Sequence, residues 1–227
     1  MAGIKLSIDL EYFDNLVGQS SRHRPVDESA FEDCCEFLFD ALSRFGLAVD
    51  VFATGDVMSR RPDLIRRLIN DGHRVGFHSS KHADFSSLTP DELRGEFECF
   101  AQLQTQFLGL SPLIRVPGFR MPRGSRRVVY DGLLEEFGVA DRSSVAGLSF
   151  FGRCFRPGGT VFRILPLIGF RWLLASVSEA EIYIHPRDVY EKIYFPAGGT
   201  IIQKMVSSMS VGSPRSRFEA LLADLVR

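Results

Sequence analysis

A chain of 227 residues, 45% hydrophobic and 24% charged, has globular composition and the length of one α/β domain, which excludes a disordered or fibrous chain. Its formal net charge of −1 gives no electrostatic case for a nucleic-acid partner. The longest apolar run, Val161 to Ala175, is broken by Arg163, Pro166 and Arg171, so no transmembrane segment is expected.

Met1-Ala2-Gly3 runs straight into a strand, Ile4 to Glu11, that alternates and then ends in acids. No signal peptide is therefore expected. Cys34, Cys35, Cys99 and Cys154 have neither metal nor redox spacing and read as reduced thiols, so a cytoplasmic location is expected. Residues 14–26, with Gly18, His23 and Pro25, read as a loop. A helix is predicted from Glu28 to Phe45, with Ser29 and Glu32 at capping-box spacing and Gly46 as its stop. Val49 to Thr54 reads as a strand. Pro62 to Asn70 reads as a helix with Leu64, Ile65, Leu68 and Ile69 inside, and His73 to Phe77 as a third strand.

That strand leads into His78-Ser79-Ser80-Lys81-His82. Histidines four residues apart share one face of a single turn, and imidazole nitrogens are common zinc ligands. Thr89-Pro90-Asp91-Glu92 spells a helix start, and the helix is predicted to run to Leu108 with Gly109 as its stop. Leu113 to Val116 is a short strand broken by Pro117-Gly118. A helix over Arg126 to Phe137 and a strand end at Asp141 follow. Gly147 to Gly169 is expected to be strand or irregular. Glu181 to Ile184 is a strand ending at His185-Pro186, and Pro214 to Arg227 is a helix. Alternating strands and helices imply an α/β fold with a mostly parallel sheet or barrel.

Groups able to do chemistry recur where these strands stop: Asp9 and Glu11, His78 and His82, Arg115, Asp141, His185. In parallel α/β folds, ligands bind beyond the carboxyl ends of the strands. Asp9 and Glu11 are two residues apart, so on an ideal strand both point to one face.

In this order the motifs resemble those of the polysaccharide deacetylases, carbohydrate esterase family 4, from residue 4 to about residue 190. They are Ser7-Ile8-Asp9-Leu10-Glu11, His78 to His82, Arg115-Val116-Pro117-Gly118-Phe119, Asp141, and Ile184-His185-Pro186. The resemblance implies a distorted (β/α) barrel, one catalytic domain over residues 1–227. It implies a bound divalent metal, Zn2+ first and then Co2+, Ni2+, Mn2+ or Fe2+. The implied reaction removes an N-acyl group, N-acetyl above all, from an amino sugar or glycan precursor. On the same resemblance, Glu11, His78 and His82 hold the metal and Asp9 takes a proton from the attacking water. Arg115 orients Asp9, His185 protonates the leaving amine, and Asp141 holds the His185 ring. Tyr12, Pro117, Gly118 and Phe119 are the implied substrate residues, although Tyr12 and Phe119 fit core packing equally well.

The sequence departs from the family pattern in three places. Glu11 stands where many members carry Asp, Arg142-Ser143-Ser144 rather than a tryptophan stands beside Asp141, and Tyr183-Ile184-His185 replaces Leu-x-His. Two other readings therefore stay open: a deformylase or cyclic-amide hydrolase with the same metal centre, and a catalytically silent carbohydrate-binding domain.

Overall fold

The computed structural model of the chain describes residues 4–13, 28–119, 121–143, 148–150, 153–155, 159–175, 180–191 and 212–226. The loop expected at residues 14–26 lies outside them. In chain order the first elements are β1 (Ile4–Leu10), α1 (Glu28–Arg44), β2 (Asp50–Ala53), α2 (Gly55–Arg60), α3 (Pro62–Asn70), β3 (Arg74–Phe77), α4 (Pro90–Gln106) and β4 (Leu113–Ile114). Then come α5 (Ser125–Glu136), β5 (Ala140–Asp141), β6 (Leu148–Phe150), β7 (Arg153–Phe155), α6 (Gly159–Ile164), α7 (Leu167–Ala175), β8 (Ala180–Ile184) and α8 (Pro214–Leu225). This is the α/β alternation that the sequence predicts. None of the described helices is long and apolar enough to cross a membrane.

The chain groups into two compact units. One comprises Met1–Asp14, His23–Val49 and Val145–Arg227; the other comprises Asn15–Arg22 and Asp50–Ser144.

In the first unit, β1 and β8 pair in parallel, with Ile4 opposite Ala180 and Ile8 opposite Ile184. One row beyond that last pair stand Asp9 and His185. From Leu6 onward β1 is buried at every position, Ser7 and Asp9 included. The expected alternation is therefore absent, as suits a parallel strand covered on both faces. Phe31, Cys34, Cys35, Leu38 and Leu42 of α1 are buried as its apolar spacing predicts. Ser29 lies inside α1, one position after Glu28, so it is not the N-cap. β6 and β7 pair antiparallel.

Val161 to Ala175, expected as strand or irregular structure up to Gly169, is instead the helix pair α6 and α7. Phe162, Phe170 and Leu174 are buried, while Ile168 and Trp172 are exposed. Apolar residues thus lie on both sides of these helices, and no 3.6-residue stripe marks them. In α8, Phe218, Leu221 and Leu222 are buried. Its Arg217 guanidinium donates to the carbonyls of Phe162 and Leu165, capping the end of α6.

In the second unit, four parallel strands lie in the order β5, β4, β3, β2. Their register aligns Ala53, Phe77, Ile114 and Asp141 in one row across the sheet. The next row therefore holds Thr54, His78 and Arg115, so pairing alone brings two motif residues to one carboxyl edge. Gly76 makes this possible, because a Cβ there would sit 2.6 Å from the Leu113 carbonyl oxygen. Thr54 caps α2, a six-residue helix absent from the sequence reading. Thr89 and Glu92 form the expected capping box on α4. That helix ends at Gln106, two residues short of the expected Leu108, and Gly109 follows with a φ of 97°.

Candidate active site

In the first unit the chemistry gathers around Glu11, just past β1. Asp9 and Glu11 are buried. The Nη1 of Arg187 donates to Oε1 of Glu11 across 2.5 Å, and Nε2 of His185 stands 3.6 Å from the same oxygen. His185 leaves β8 into a single 3-10 turn, Pro186–Val189. The backbone N–H of His185 donates to Oδ2 of Asp188 at 2.8 Å, and its ring Nδ1 lies 2.9 Å from that oxygen. An ionised carboxylate can only accept, so Nδ1 carries the hydrogen. Burial pushes the Asp188 carboxyl up, but His185 and Arg187 outweigh it and hold the group below the usual carboxylate range. The Nη1 of Arg163, a buried residue of α6, donates to the Arg187 carbonyl at 3.2 Å.

In the second unit His78 and His82 are buried, with ring centroids 5.2 Å apart and planes tilted by 55°. The Nδ1 of His78 is 2.8 Å from the Arg115 carbonyl oxygen. A carbonyl only accepts, so this ring is protonated at Nδ1. Ser79 and His82 take the left-handed region, with φ of 70° and 57°.

Their loop is held from three sides. The amides of Gly55 and Asp56 donate to the carbonyls of Ser79 and Ser80. The Ser79 hydroxyl accepts from the Ala83 amide. Glu96 of α4 accepts from the Ser80 amide at 2.6 Å and from its hydroxyl at 2.7 Å. Burial raises the Glu96 carboxyl, partly offset by these Ser80 bonds.

Arg115 is fully buried, its guanidinium 4.0 Å from the centroid of Phe52. Asp141 accepts from the Ser143 amide, and the Ser143 hydroxyl accepts from the Val116 amide, each at 2.7 Å. Pro117 is buried, and Gly118 is exposed with a φ of 57°. The Phe119 side chain lies outside the described part. Tyr12 is 2% exposed, with its ring 4.5 Å from Phe31. That is the core packing which the sequence left open beside a sugar contact.

Sequence reasoning missed Asp188, Arg187, Arg163 and Glu96. Two of them left a trace. Asp188 stands three residues after His185, at capping spacing. Glu96 interrupts the apolar stripe of Leu93, Phe97 and Phe100 on α4.

Residues 25–140, just over half of the chain, match the family model of the polysaccharide deacetylases. That stretch holds His78, His82 and Arg115 but stops short of Asp9, Glu11, Asp141 and His185. The chitooligosaccharide deacetylase of a Bradyrhizobium species is 27% identical over 84 residues, 37% of this chain and 38% of that protein. The peptidoglycan-N-acetylmuramic acid deacetylase of Bacillus subtilis is 31% identical over 61 residues, 27% of this chain and 23% of its own length. The chain thus covers well under half of these curated relatives. Among solved structures, a family 4 carbohydrate esterase from Streptomyces lividans has a TM-score of 0.58 at 15% identity, covering 99% of this chain and 90% of that one. A family 4 pseudoenzyme from Bacillus anthracis has a TM-score of 0.61 at 10% identity, covering 98% of this chain and 60% of that one. At such identities the likeness shows the fold: the distorted (β/α) barrel type of these esterases.

Proposed function

The chain belongs to the polysaccharide deacetylase family, and from that premise we propose that it is a metal-dependent amide hydrolase. Its proposed substrate is an N-acylated amino sugar or glycan precursor, N-acetyl in the first instance. The observation that carries this reading is the His78 ring, whose Nδ1 is held 2.8 Å from the Arg115 carbonyl, the kind of bond that fixes the tautomer and orientation of a metal-binding imidazole. Glu11, His78 and His82 are buried groups of ligand type, and two imidazoles with one carboxylate suit a zinc-like cation with open positions.

Glu11, His78 and His82 would hold a divalent cation, which would supply Lewis acidity toward the acyl oxygen and lower the pKa of the attacking water. Asp9 takes the proton from that water as its oxygen bonds to the acyl carbon. Arg115 orients Asp9, and Asp141 supports that strand end through Ser143. The Nε2 of His185 passes its proton to the nitrogen as the carbon–nitrogen bond breaks, giving a carboxylic acid and an amine. Pro117, Gly118 and Phe119 form the proposed edge against which the sugar lies. Cys34, Cys35 and Cys99 are thiols rather than disulfides, which supports a cytoplasmic place of action.

A second reading, a catalytically silent domain, is favoured by one observation. Arg187 already places a positive charge on Glu11, which can stand in for a metal's. Metal content and acetate release from an N-acetylglucosamine oligomer separate the two, with N-formyl sugars and cyclic amides assayed beside it. Bound metal with acetate release is the expected result. A chain that stays metal-free in excess Zn2+ and releases nothing from any substrate overturns the proposal.

A further inference from the structure

The family resemblance gave the task of holding His185 to Asp141. In the first unit that ring is held from its own turn. One oxygen of Asp188 accepts both the His185 amide and its Nδ1–H, at 2.8 and 2.9 Å. The turn is closed by the Asp188 amide donating to the His185 carbonyl at 2.9 Å. Asp188 is only 5% exposed, so its direction is set by packing. Two arginines balance its buried charge, Arg187 from the same turn and Arg163 from α6. Arg163 is also 5% exposed and fastens the turn through the Arg187 carbonyl. Proline at position 186 fixes the backbone between the two partners.

We infer that Asp188 is the positioning residue for His185, locking Nδ1–H inward so that Nε2 is the nitrogen that delivers the proton. The inference rests on the proposed role of His185 as general acid. The step it serves is the collapse of the tetrahedral adduct: the Nε2 proton goes to the departing nitrogen, and the bonding pair of the carbon–nitrogen bond leaves with it. The competing explanation is that Asp188 only caps a turn. A cap keeps the fold, whereas a positioning residue is needed only when the leaving group needs a proton.

The test compares two substrates of the metal-loaded protein, an N-acetylglucosamine oligomer and 4-nitrophenyl acetate, whose phenolate leaves unprotonated. For Asp188→Asn, kcat on the amide should fall by about 10²-fold or more while KM and the ester rate change by no more than about twofold. The double variant with His185→Asn should be no slower on the amide than His185→Asn alone, because the two residues act as one unit. Equal losses on amide and ester, or additive losses in the double variant, overturn the inference. If His185→Asn itself spares the amide reaction, the general-acid role has failed, a different result from failure at Asp188. Nitrogen-15 shifts of the His185 ring provide a readout independent of turnover. A ring protonated at Nδ1 in the parent and released from that state in Asp188→Asn supports the inference; an unprotonated Nδ1 in the parent refutes it.

Discussion

His78 donates from Nδ1 to the carbonyl oxygen of Arg115 across 2.8 Å, so the main chain of one motif sets the ring of another. The bond follows from register, since Phe77 and Ile114 are partners and His78 and Arg115 come next on their strands. It fixes the tautomer without using a second side chain.

If Nε2 of His78 is a metal donor, chelation should abolish activity and added Zn2+ should restore it. Zn2+ should also raise the melting temperature, because a ligand at 100 times its Kd adds about 2.7 kcal/mol to folding stability. His78→Gln and His82→Gln should each lose most of that rise. Calorimetry with and without Zn2+ checks this, and an undiminished rise in both variants would place the metal elsewhere.

Glu96 should matter to the same loop without touching an ion. It accepts two hydrogen bonds from Ser80, between residues held at positive φ. Glu96→Ala removes both acceptors, so the Ser80 amide and hydroxyl lose the carboxylate that holds them. Zinc affinity should fall by about 10–100-fold, as for other partners that orient ligand histidines. A competition titration with a zinc-sensitive dye measures it. Parent-like affinity would show that the amides of Gly55 and Asp56 hold the loop unaided.

Gly76→Ala should destabilise the second unit, since its Cβ would meet the Leu113 backbone oxygen at 2.6 Å. Backbone cannot swing aside as a side chain can, so β3 and β4 must separate. A loss of about 1–3 kcal/mol is expected from urea unfolding, the range for overpacked sites. A loss below that range would mean the strands part more easily than their register suggests.

The helix ends were legible because short-range chemistry spells them. Gly46 and Gly109 stand at positive φ where helices have ended, and Thr89 with Glu92 closes a capping box. The paired residues of β3 and β4 could not be read directly, yet the motif order implied that His78 and Arg115 share an edge. The helices α6 and α7 were illegible for a physical reason. Trp172 and Ile168 face water while Phe170 and Leu174 face the core, so hydrophobicity carries no face information there. Tyr12 shows the same limit in one residue: an aromatic ring after two acids suits a sugar or a core, and only packing against Phe31 decides. Asp188 escaped because its partner is a histidine of its own turn rather than a residue of another motif.

Stability should depend on pH through His73. Burial lowers the pKa of this imidazole, Asp71 partly offsets that, and Arg67 adds to it. The unfolded chain therefore takes up the proton at a higher pH than the folded one. The contribution of His73 is complete above the unfolded value, about 6.5, and is lost as pH falls through the window down to the lowered folded value. His73→Gln, which cannot titrate, should show a shallower fall of melting temperature below about pH 6.5 than the parent. Parallel curves for the two proteins would rule His73 out as the cause.

Asp9 and Glu11 should divide their labour. Both are buried carboxylates at one end of β1, yet their surroundings differ. Glu11 has Arg187 on one oxygen and His185 at 3.6 Å, whereas Asp9 stands in the row beside His185, one step past the Ile8–Ile184 pair. A carboxylate spent on a metal cannot also deprotonate the water, so one acid must serve each task. Glu11, with its longer side chain, is assigned to the metal and Asp9 to the proton. Asp9→Asn should then keep bound metal and lose about 10²–10⁴-fold in rate, the loss expected for a missing general base. Glu11→Gln should lose metal and rate together, and it also leaves the Arg187 guanidinium without its ionic partner. Elemental analysis beside the rate of each variant measures both quantities. If Asp9→Asn emptied the site while Glu11→Gln stayed loaded, the two roles would be exchanged. If neither substitution changed the rate, the reaction would have to run at another place on the chain.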